Sequence, residues 1–559
     1  MEGNPPRRLR VGLLLDSFDV PAWQYKMLEI LQGSAYAEVV LIVQNTTRRA
    51  RKRLPARIVD QWSHWLYIGY RRLDNRLFRP RPDAFASKDL ASLLDGVPVL
   101  PVQPRQTTYS DWIEDRDVDA IEQHDVDVLI RMGFRILRGR ILRASRYGVW
   151  SYHHGDNQVN RGGPAGFWEV FERHPVTGSI LQILTEDLDN GVVLYRSYSA
   201  TDPVSVRRNR NNYYWKSMAF LPRQLAALHR MGEASFFASL KPLNEPVRFY
   251  SSKLYRKPTN GPLARLLFKH VLRYARRKAY SFFFVDQWIL MFDLRDGISS
   301  SFWRFKRIVP RLDRFWADPF VLYKEGSYYL FFEEFMHKSR RGRIALMVMD
   351  EAGVCTEPAV VVEQPYHLAY PFLFEWEGAY YLLADTSANN TIEVYRCVRF
   401  PDEWVFHKVL MDHVKAVDPT LFFYQGTWWL FVNCRQYEGA STWDELFLFS
   451  AETPLTTTWT PHPLNPIVSD VRRARPAGRI FEYEGALYRP SQDCSKGYGH
   501  SIKLNRIVKL SPTEYEEEEV SEILPDWSAE VKRVHTFNHE NRLTIIDGKV
   551  RRFRFSWRR

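Results

Sequence analysis

Two adjacent histidines, His153 and His154, follow a strand-like run at 147–152, and an acid, Asp189, lies thirty-six residues further on in a Leu-Asp-Asn-Gly turn. Histidine has the unperturbed pKa to accept a proton from an amine attacking a carbonyl, and a carboxylate beside the ring would orient it and stabilise the imidazolium. The stretch 147–194 therefore predicts a pocket in which His153 and Asp189 face each other, although such a pair is not specific by itself. A second set of acids lies in the other half of the chain. Asp318 and Asp418 each precede a proline, and Glu333 or Glu334 follows the first of them. Paired carboxylates of this kind can serve glycoside chemistry, one as base or nucleophile and one as acid.

The elements that must hold these residues differ between the halves. Short apolar strands are predicted at 9–15, 37–43, 97–102, 125–130, 148–152 and 192–198. Helical spacing separates them at 21–31 and 58–70, and a helix is expected to run to Ser145. Strands alternating with helices predict a parallel α/β sheet, whose ligands bind beyond the carboxyl ends of the strands. One long amphipathic helix is expected over 203–232, with Trp215, Met218, Leu221, Leu225 and Leu228 on one stripe. Residues 240–285 read as a linker that ends in a basic helix.

From about residue 286 a repeat takes over. Pro319, Pro371, Pro419 and Pro476 each open a strand, followed by a turn glycine (Gly326, Gly378, Gly426, Gly485) and an aromatic strand. The period of about fifty residues is that of a four-stranded propeller blade. A fifth blade is expected from 288–296 together with C-terminal strands around 543–555. The acidic run 514–519 is expected to be a solvated loop.

The chain of 559 residues carries a formal charge of +13, much of it in runs such as 48–53, 207–210 and 276–278. A basic surface suits anionic partners, but no nucleic-acid recognition motif is present. The basic helix at 262–279 is compatible with a membrane surface. Cys355, Cys397, Cys434 and Cys494 are widely spaced, against both a disulfide framework and a cysteine metal site. No metal ligand set is expected, and the cytoplasm is the expected compartment, with no signal peptide or spanning segment read from the sequence.

Four ordered segments of the first half resemble the catalytic domain of the formyltransferase family: Ser151-Tyr152-His153, Arg161-Gly162-Gly163-Pro164, Thr177-Gly178-Ser179 and Asp189-Asn190-Gly191. The strand-like run 127–137 is similar as well, so the resemblance covers about residues 9–235. It implies formyl transfer from 10-formyltetrahydrofolate to an amine, with His153 as base and Asp189 positioning it. Met132, Gly133 and Phe134 on one side, and Glu186 and Asp187 on the other, would border the folate. Ser151 stands where the family has its oxyanion-binding asparagine, so His154 and Asn157 are alternative donors, with Arg161 on the acceptor side. The second half resembles the five-bladed propellers of arabinanase- and levansucrase-like glycoside hydrolases, and the propeller of plant inositol-phosphoceramide glycosyltransferases. Trp316-Ala317-Asp318-Pro319 is its most specific piece. That resemblance implies a sugar site at Asp318, Asp418 and Glu333.

The expected architecture is multidomain: a Rossmann-like α/β formyltransferase domain (1–239), a linker with the basic helix (240–285), and an all-β five-bladed propeller (286–559). The expected function is N-formyl or related acyl transfer to an amino sugar, nucleotide- or lipid-linked, with the propeller binding the carbohydrate. The alternative is glycosidase or glycosyltransferase chemistry in the propeller beside a degenerate first domain. A third reading has both domains only binding sugar.

Overall fold

The structure is a computed structural model that describes residues 7–47, 62–187, 190–245, 250–251 and 254–554. Asp189, the basic run at 48–53 and the start of the helix expected at 58–70 lie outside the described residues. The chain divides into two compact units, Met1–Leu272 with Tyr437–Ala440, and Arg273–Gln436 with Ser441–Arg559.

The first is an α/β unit. Its sheet is built from β1 (Leu9–Leu15), β2 (Ala37–Asn45), β3 (Val99–Val102), β4 (Val128–Arg131), β5 (Val149–His153), β6 (Val176–Ile183) and β7 (Val192–Ala200). The order is β7-β6-β5-β4-β1-β2-β3, parallel from β5 to β3, with β6 and β7 added antiparallel. The central strands are apolar on both faces because both are covered: Leu13, Ile42 and Ile130 face one core, Leu14, Leu41 and Leu129 the other. Its helices include α1 (Ala22–Gln32), α2 (Trp65–Leu77), α3 (Phe167–Glu172), α4 (Val206–Ser217) and α5 (Phe220–Met231), and α6 (Asn260–Phe283) starts in this unit and continues past Leu272.

The single helix expected over 203–232 is two, α4 and α5, broken at Met218 and Ala219. Pro222 is the cause: it has no N–H for the Met218 carbonyl and its ring crowds that turn. The apolar stripe nevertheless survives the break, since Trp215, Met218, Leu221, Leu225 and Leu228 are all buried. The helix expected up to Ser145 is instead a short strand, Ile136–Arg138, and one 3-10 turn, Arg140–Arg143.

The β unit holds five antiparallel sheets of at least four strands each. The first is Arg314–Lys324, Ser327–Met336, Arg341–Asp350 and Ala359–Val362, and the second Ala369–Trp376, Ala379–Thr386, Thr391–Arg399 and Glu403–Met411. The third opens with Ala416–Tyr424 and Thr427–Cys434, the fourth with Arg475–Pro476 and Ala486–Asp493. The fifth joins both ends of the unit: Val531–Glu540 pairs Leu543–Phe553, which pairs Phe284–Leu294. The opening strands of successive sheets pack side by side, and Val531–Glu540 packs on both the fourth sheet and the first.

Each repeat's glycine closes a two-residue hairpin. Glu325-Gly326, Glu377-Gly378, Gln425-Gly426 and Glu484-Gly485 all have positive φ, at 50° for the first residue of each pair. Turns with both central residues left-handed match the twist of the flanking strands, and glycine supplies the second without strain. The acidic run expected as a loop is a strand, Tyr515–Ile523, on the edge of the fourth sheet. Its charges are paired across the ladder: Glu519 holds Lys503, and buried Glu517 holds buried Arg489 through two contacts at 2.8 Å.

Candidate functional site

The five opening strands bring a polar cluster to one place. In three of them the ladder breaks at the residue before the repeat proline, and Asp318, Tyr370 and Asp418 sit there with φ of 51°, 49° and 54°. A left-handed L-residue costs roughly 1–2 kcal/mol, so three equivalent ones mark a position where side-chain direction outweighs local comfort. In the fourth sheet Arg475 lies opposite Gln492, and in the fifth His535 and Thr536 occupy the break, with Asp547 on the facing strand. The second strand contributes once per repeat, seven residues after the turn glycine: Glu333, Asp385, Asn433 and Gln492. All of these polar side chains are buried.

Asp318 and His535 form the densest part. The Thr536 hydroxyl donates to Asp318 Oδ1 at 2.7 Å, and His535 Nε2 lies 3.5 Å from the same oxygen. Asp547 binds the break from behind, accepting the backbone N–H groups of His535 and Thr536 on Oδ1 and that of Asp318 on Oδ2, at 2.9–3.0 Å. His535 Nδ1 approaches Asp547 Oδ2 to 2.6 Å, out of line for a hydrogen bond, and the ring stacks on Trp288 at 4.1 Å. Asp418 is held differently: Arg475 meets both of its oxygens and Gln492 donates to one at 3.1 Å. The Arg475 guanidinium lies under the ring of Tyr498, which also meets His535 edge-on.

Burial sets the titration of the cluster. It pushes the Asp318 carboxyl up to about 6, with His535 opposing and Asp418 and Asp547 adding to the rise. Glu333 is raised well above the carboxylate range by burial and then by the charges of Asp318 and Asp385. For His535 burial disfavours the cation, but Asp547 and Asp318 outweigh it and raise the imidazole. Two neighbouring acids of one strand are thereby separated. Glu334 points to the other face, accepts from Arg314, Trp316 and Arg343, and is held below its ordinary value because those donors outweigh burial. Glu333, on the same strand, is shifted in the opposite direction. His367 Nε2 stands 3.6 Å from Glu333 Oε1, and because its Nδ1 accepts the Gly342 N–H at 2.7 Å, the ring's proton faces the glutamate. The His367 side chain is 35% exposed, which brings solvent to Glu333.

Asp318, His535 and Asp547 place one ligand atom each within 4.8 Å of one another, a spacing that could hold a cation. His535 lies against both carboxylates, and they raise its imidazole against the opposing effect of burial.

The signs fix a pH dependence. Groups whose folded pKa is raised stabilise the fold below their unfolded pKa and lose that stability as pH rises through the folded one. For Asp318 the window runs from an ordinary 3.8 to about 6, and His535, also raised, acts in the same direction, while the lowered pKa values of His337, His367, His407, His500 and His539 act in the opposite one. The contribution of Asp318 is therefore read as a difference: in calorimetry the melting temperature of the parent relative to Asp318→Asn is expected to be higher at pH 5 than at pH 7.5. A difference that grows with pH across that window contradicts burial as the ruling influence on Asp318.

In the α/β unit, His153 ends β5 and Met132, Gly133 and Phe134 follow β4, so these residues share the carboxyl edge of neighbouring parallel strands. Phe134 is left-handed (φ 61°) and donates its N–H to Asp16 at the end of β1, while a Cβ on Gly133 would come within 2.4 Å of the Asp16 backbone. The His153 ring nitrogen lies 3.3 Å from the Asn160 carbonyl. Ser151 is buried and its Oγ accepts from Arg131 at 3.1 Å. The half-buried His154 ring stacks on Tyr214 at 3.7 Å, and desolvation lowers its pKa well below the ordinary value. Asn157 is buried and accepts from Arg196 on Oδ1 and from Arg161 on its carbonyl, and Arg161 also covers the Tyr250 ring. Glu186 accepts the Gly139 N–H and Arg138, and Asp187 is exposed. Asp189 lies outside the described residues.

Comparison with known proteins bears on the β unit. Residues 309–545 match the family model described as glucosamine inositolphosphorylceramide transferase 1, N-terminal. Glucosamine inositolphosphorylceramide transferase 1 of Oryza sativa subsp. japonica is 35% identical over 206 residues, covering 36% of this chain and 27% of the relative. The Arabidopsis thaliana protein of the same name is 35% identical over 209 residues, covering 37% and 27%. The chain thus spans about a quarter of the length of these relatives. Among solved structures, the family 117 glycoside hydrolase Zg3597 of Zobellia galactanivorans aligns with a TM-score of 0.32 at 14% identity, covering 47% of this chain and 90% of that one. Glycinamide ribonucleotide transformylase 1 of Symbiobacterium toebii aligns at 0.23 and 14%, covering 42% and 89%. The relatives are named as glucosamine transferases, which overturns folate-dependent formyl transfer as this chain's function.

Proposed function

We propose that this chain serves glycosyl transfer involving a glucosamine-type sugar carried on an inositol phospholipid, with the sugar seated at the centre of the β unit. On this reading the five sheets are the blades of a closed propeller, the fifth made from both ends of the unit, and their inward polar residues line its axis. The observation that carries the proposal is the pair of buried acids at that axis, where burial raises Glu333 well above the carboxylate range and Asp318 to about 6, with His367 partly exposed beside Glu333. Acids pushed apart in this way suit an acid and a base of one reaction. Glu333 would protonate the oxygen of the group that leaves the glucosamine donor, and Asp318 would take the proton of the acceptor hydroxyl, so that the sugar's bond to the leaving group breaks as its bond to the acceptor oxygen forms. Asp418, with both oxygens on Arg475, would hold the site's charge balance without reacting. The relatives' printed names supply the sugar and the lipid.

The tied-up Asp418 favours a second reading, in which the axis only binds the sugar. Titration calorimetry with glucosaminyl-inositol phosphate, the soluble headgroup, tests the site itself. Saturable binding weakened at least tenfold by Asp318→Asn is expected, while binding that is absent, or unchanged in that variant, contradicts it. Turnover that disappears in Glu333→Gln with binding retained separates catalysis from binding alone.

A further inference from the structure

Helix α6 (Asn260–Phe283) is packed along one face and apolar along the opposite one. Its packed face is short: Leu263 is buried and Leu266 and Leu267 are partly buried against Tyr67, Phe167 and Phe171, and the His270 ring rests on Phe171 at 5.2 Å. At about 100° per residue, Phe268, Val271, Leu272, Ala275, Ala279 and Phe282 fall in one sector roughly 100° wide on the far side. Phe268, Val271 and Phe282 are 70%, 63% and 61% exposed. Arg265, Lys269 and Arg276 border this stripe on one edge and Lys278 on the other, and the helix has no acidic residue. At the neighbouring start of α2, whose Leu66 N–H bonds Asn260 Oδ1 at 3.1 Å, Trp62 and Trp65 are exposed as well. An exposed apolar stripe of this size on a well-packed unit marks a surface meant for a partner.

We infer that α6 is an interfacial helix that docks the chain on an anionic lipid bilayer, its stripe entering the headgroup boundary and its basic borders meeting lipid phosphates and carboxylates. Charge complementarity selects this occupant, because an apolar face fringed by cations and free of acids suits a negative surface. The helix lies on the membrane and does not cross it: no helix among the described residues is long and apolar enough to span one. Exposed tryptophans at the start of α2 fit the same boundary, where amphipathic rings concentrate. The inference stands on the helix alone, so it can fail while the glycosyl reading holds, and the reverse.

Co-flotation of the full chain with vesicles tests it. The chain is expected to float with vesicles of phosphatidylcholine containing one-third phosphatidylserine and to bind phosphatidylcholine alone far more weakly. Neutralising Arg265→Gln, Lys269→Gln and Arg276→Gln together is expected to lower partitioning about a hundredfold, at roughly a decade or less per charge near the surface. Phe268→Ser with Phe282→Ser is expected to lower it at least tenfold. These side chains are exposed, so circular dichroism should show the fold unchanged. No binding to anionic vesicles, or equal binding by both variants, overturns the inference. Concentration-dependent dimerisation in light scattering, lost in Phe268→Ser/Phe282→Ser without any vesicle binding, also overturns it, in favour of a second copy.

Discussion

Arg475→Leu is expected to destabilise the β unit by about 3–5 kcal/mol, because it strands the Asp418 carboxylate in a dry interior. Arg475 meets both Asp418 oxygens and lies under Tyr498, and after its removal only Gln492 would still donate to Asp418. The loss should shrink as the pH falls, since burial already raises the Asp418 carboxyl and protonation would relieve the stranded charge. Adding Asp418→Leu to the same chain should restore much of the stability, as buried pairs replaced by apolar residues of similar volume often do. Urea denaturation of the three chains measures this. A single variant as stable as the parent would show that the pair does not hold the sheets' centre together.

Glu333→Gln has the second large effect, and on a different quantity. Burial raises the Glu333 carboxyl well above its ordinary range, so the amide copies the shape and charge of the favoured protonated form, and stability should barely change. What the amide cannot do is give up a proton, and loss of a positioned general acid typically costs 10²–10⁴ in rate. A turnover collapse with an unchanged melting temperature is therefore expected. Glu334→Gln should do the reverse: it weakens the contacts to Arg314, Trp316 and Arg343 and lowers stability without that fall in turnover.

The sequence made four of the five sheets legible through a single device, the two-residue hairpin closed by Gly326, Gly378, Gly426 and Gly485. The fifth, expected from 288–296 with the strands around 543–555, which do pair, carries no such glycine turn, and its ladder break holds His535 and Thr536 in place of a residue–proline pair. For the same reason His535 and Asp547 escaped a reading based on the repeat. Asp385, Asn433 and Gln492 did not have to: counting seven residues past each turn glycine reaches all three, together with Glu333. In the α/β unit the apolar runs marked the strands, yet helix continuity failed at Pro222, where propensity over a long window hid one missing N–H. The motif order around His153 carried a family likeness but not a reaction. Whether a histidine is a base depends on what surrounds it, and adjacent His154 is a half-buried ring stacked on Tyr214.

The most direct measurement compares Glu333→Gln with His153→Ala in one assay, following glucosamine transfer on an inositol phospholipid in vesicles with the full chain. The expected result is a fall of about 10²–10⁴ for Glu333→Gln and a rate within twofold of the parent for His153→Ala. Full activity in Glu333→Gln with activity lost in His153→Ala would contradict the placement of the chemistry at the centre of the β unit.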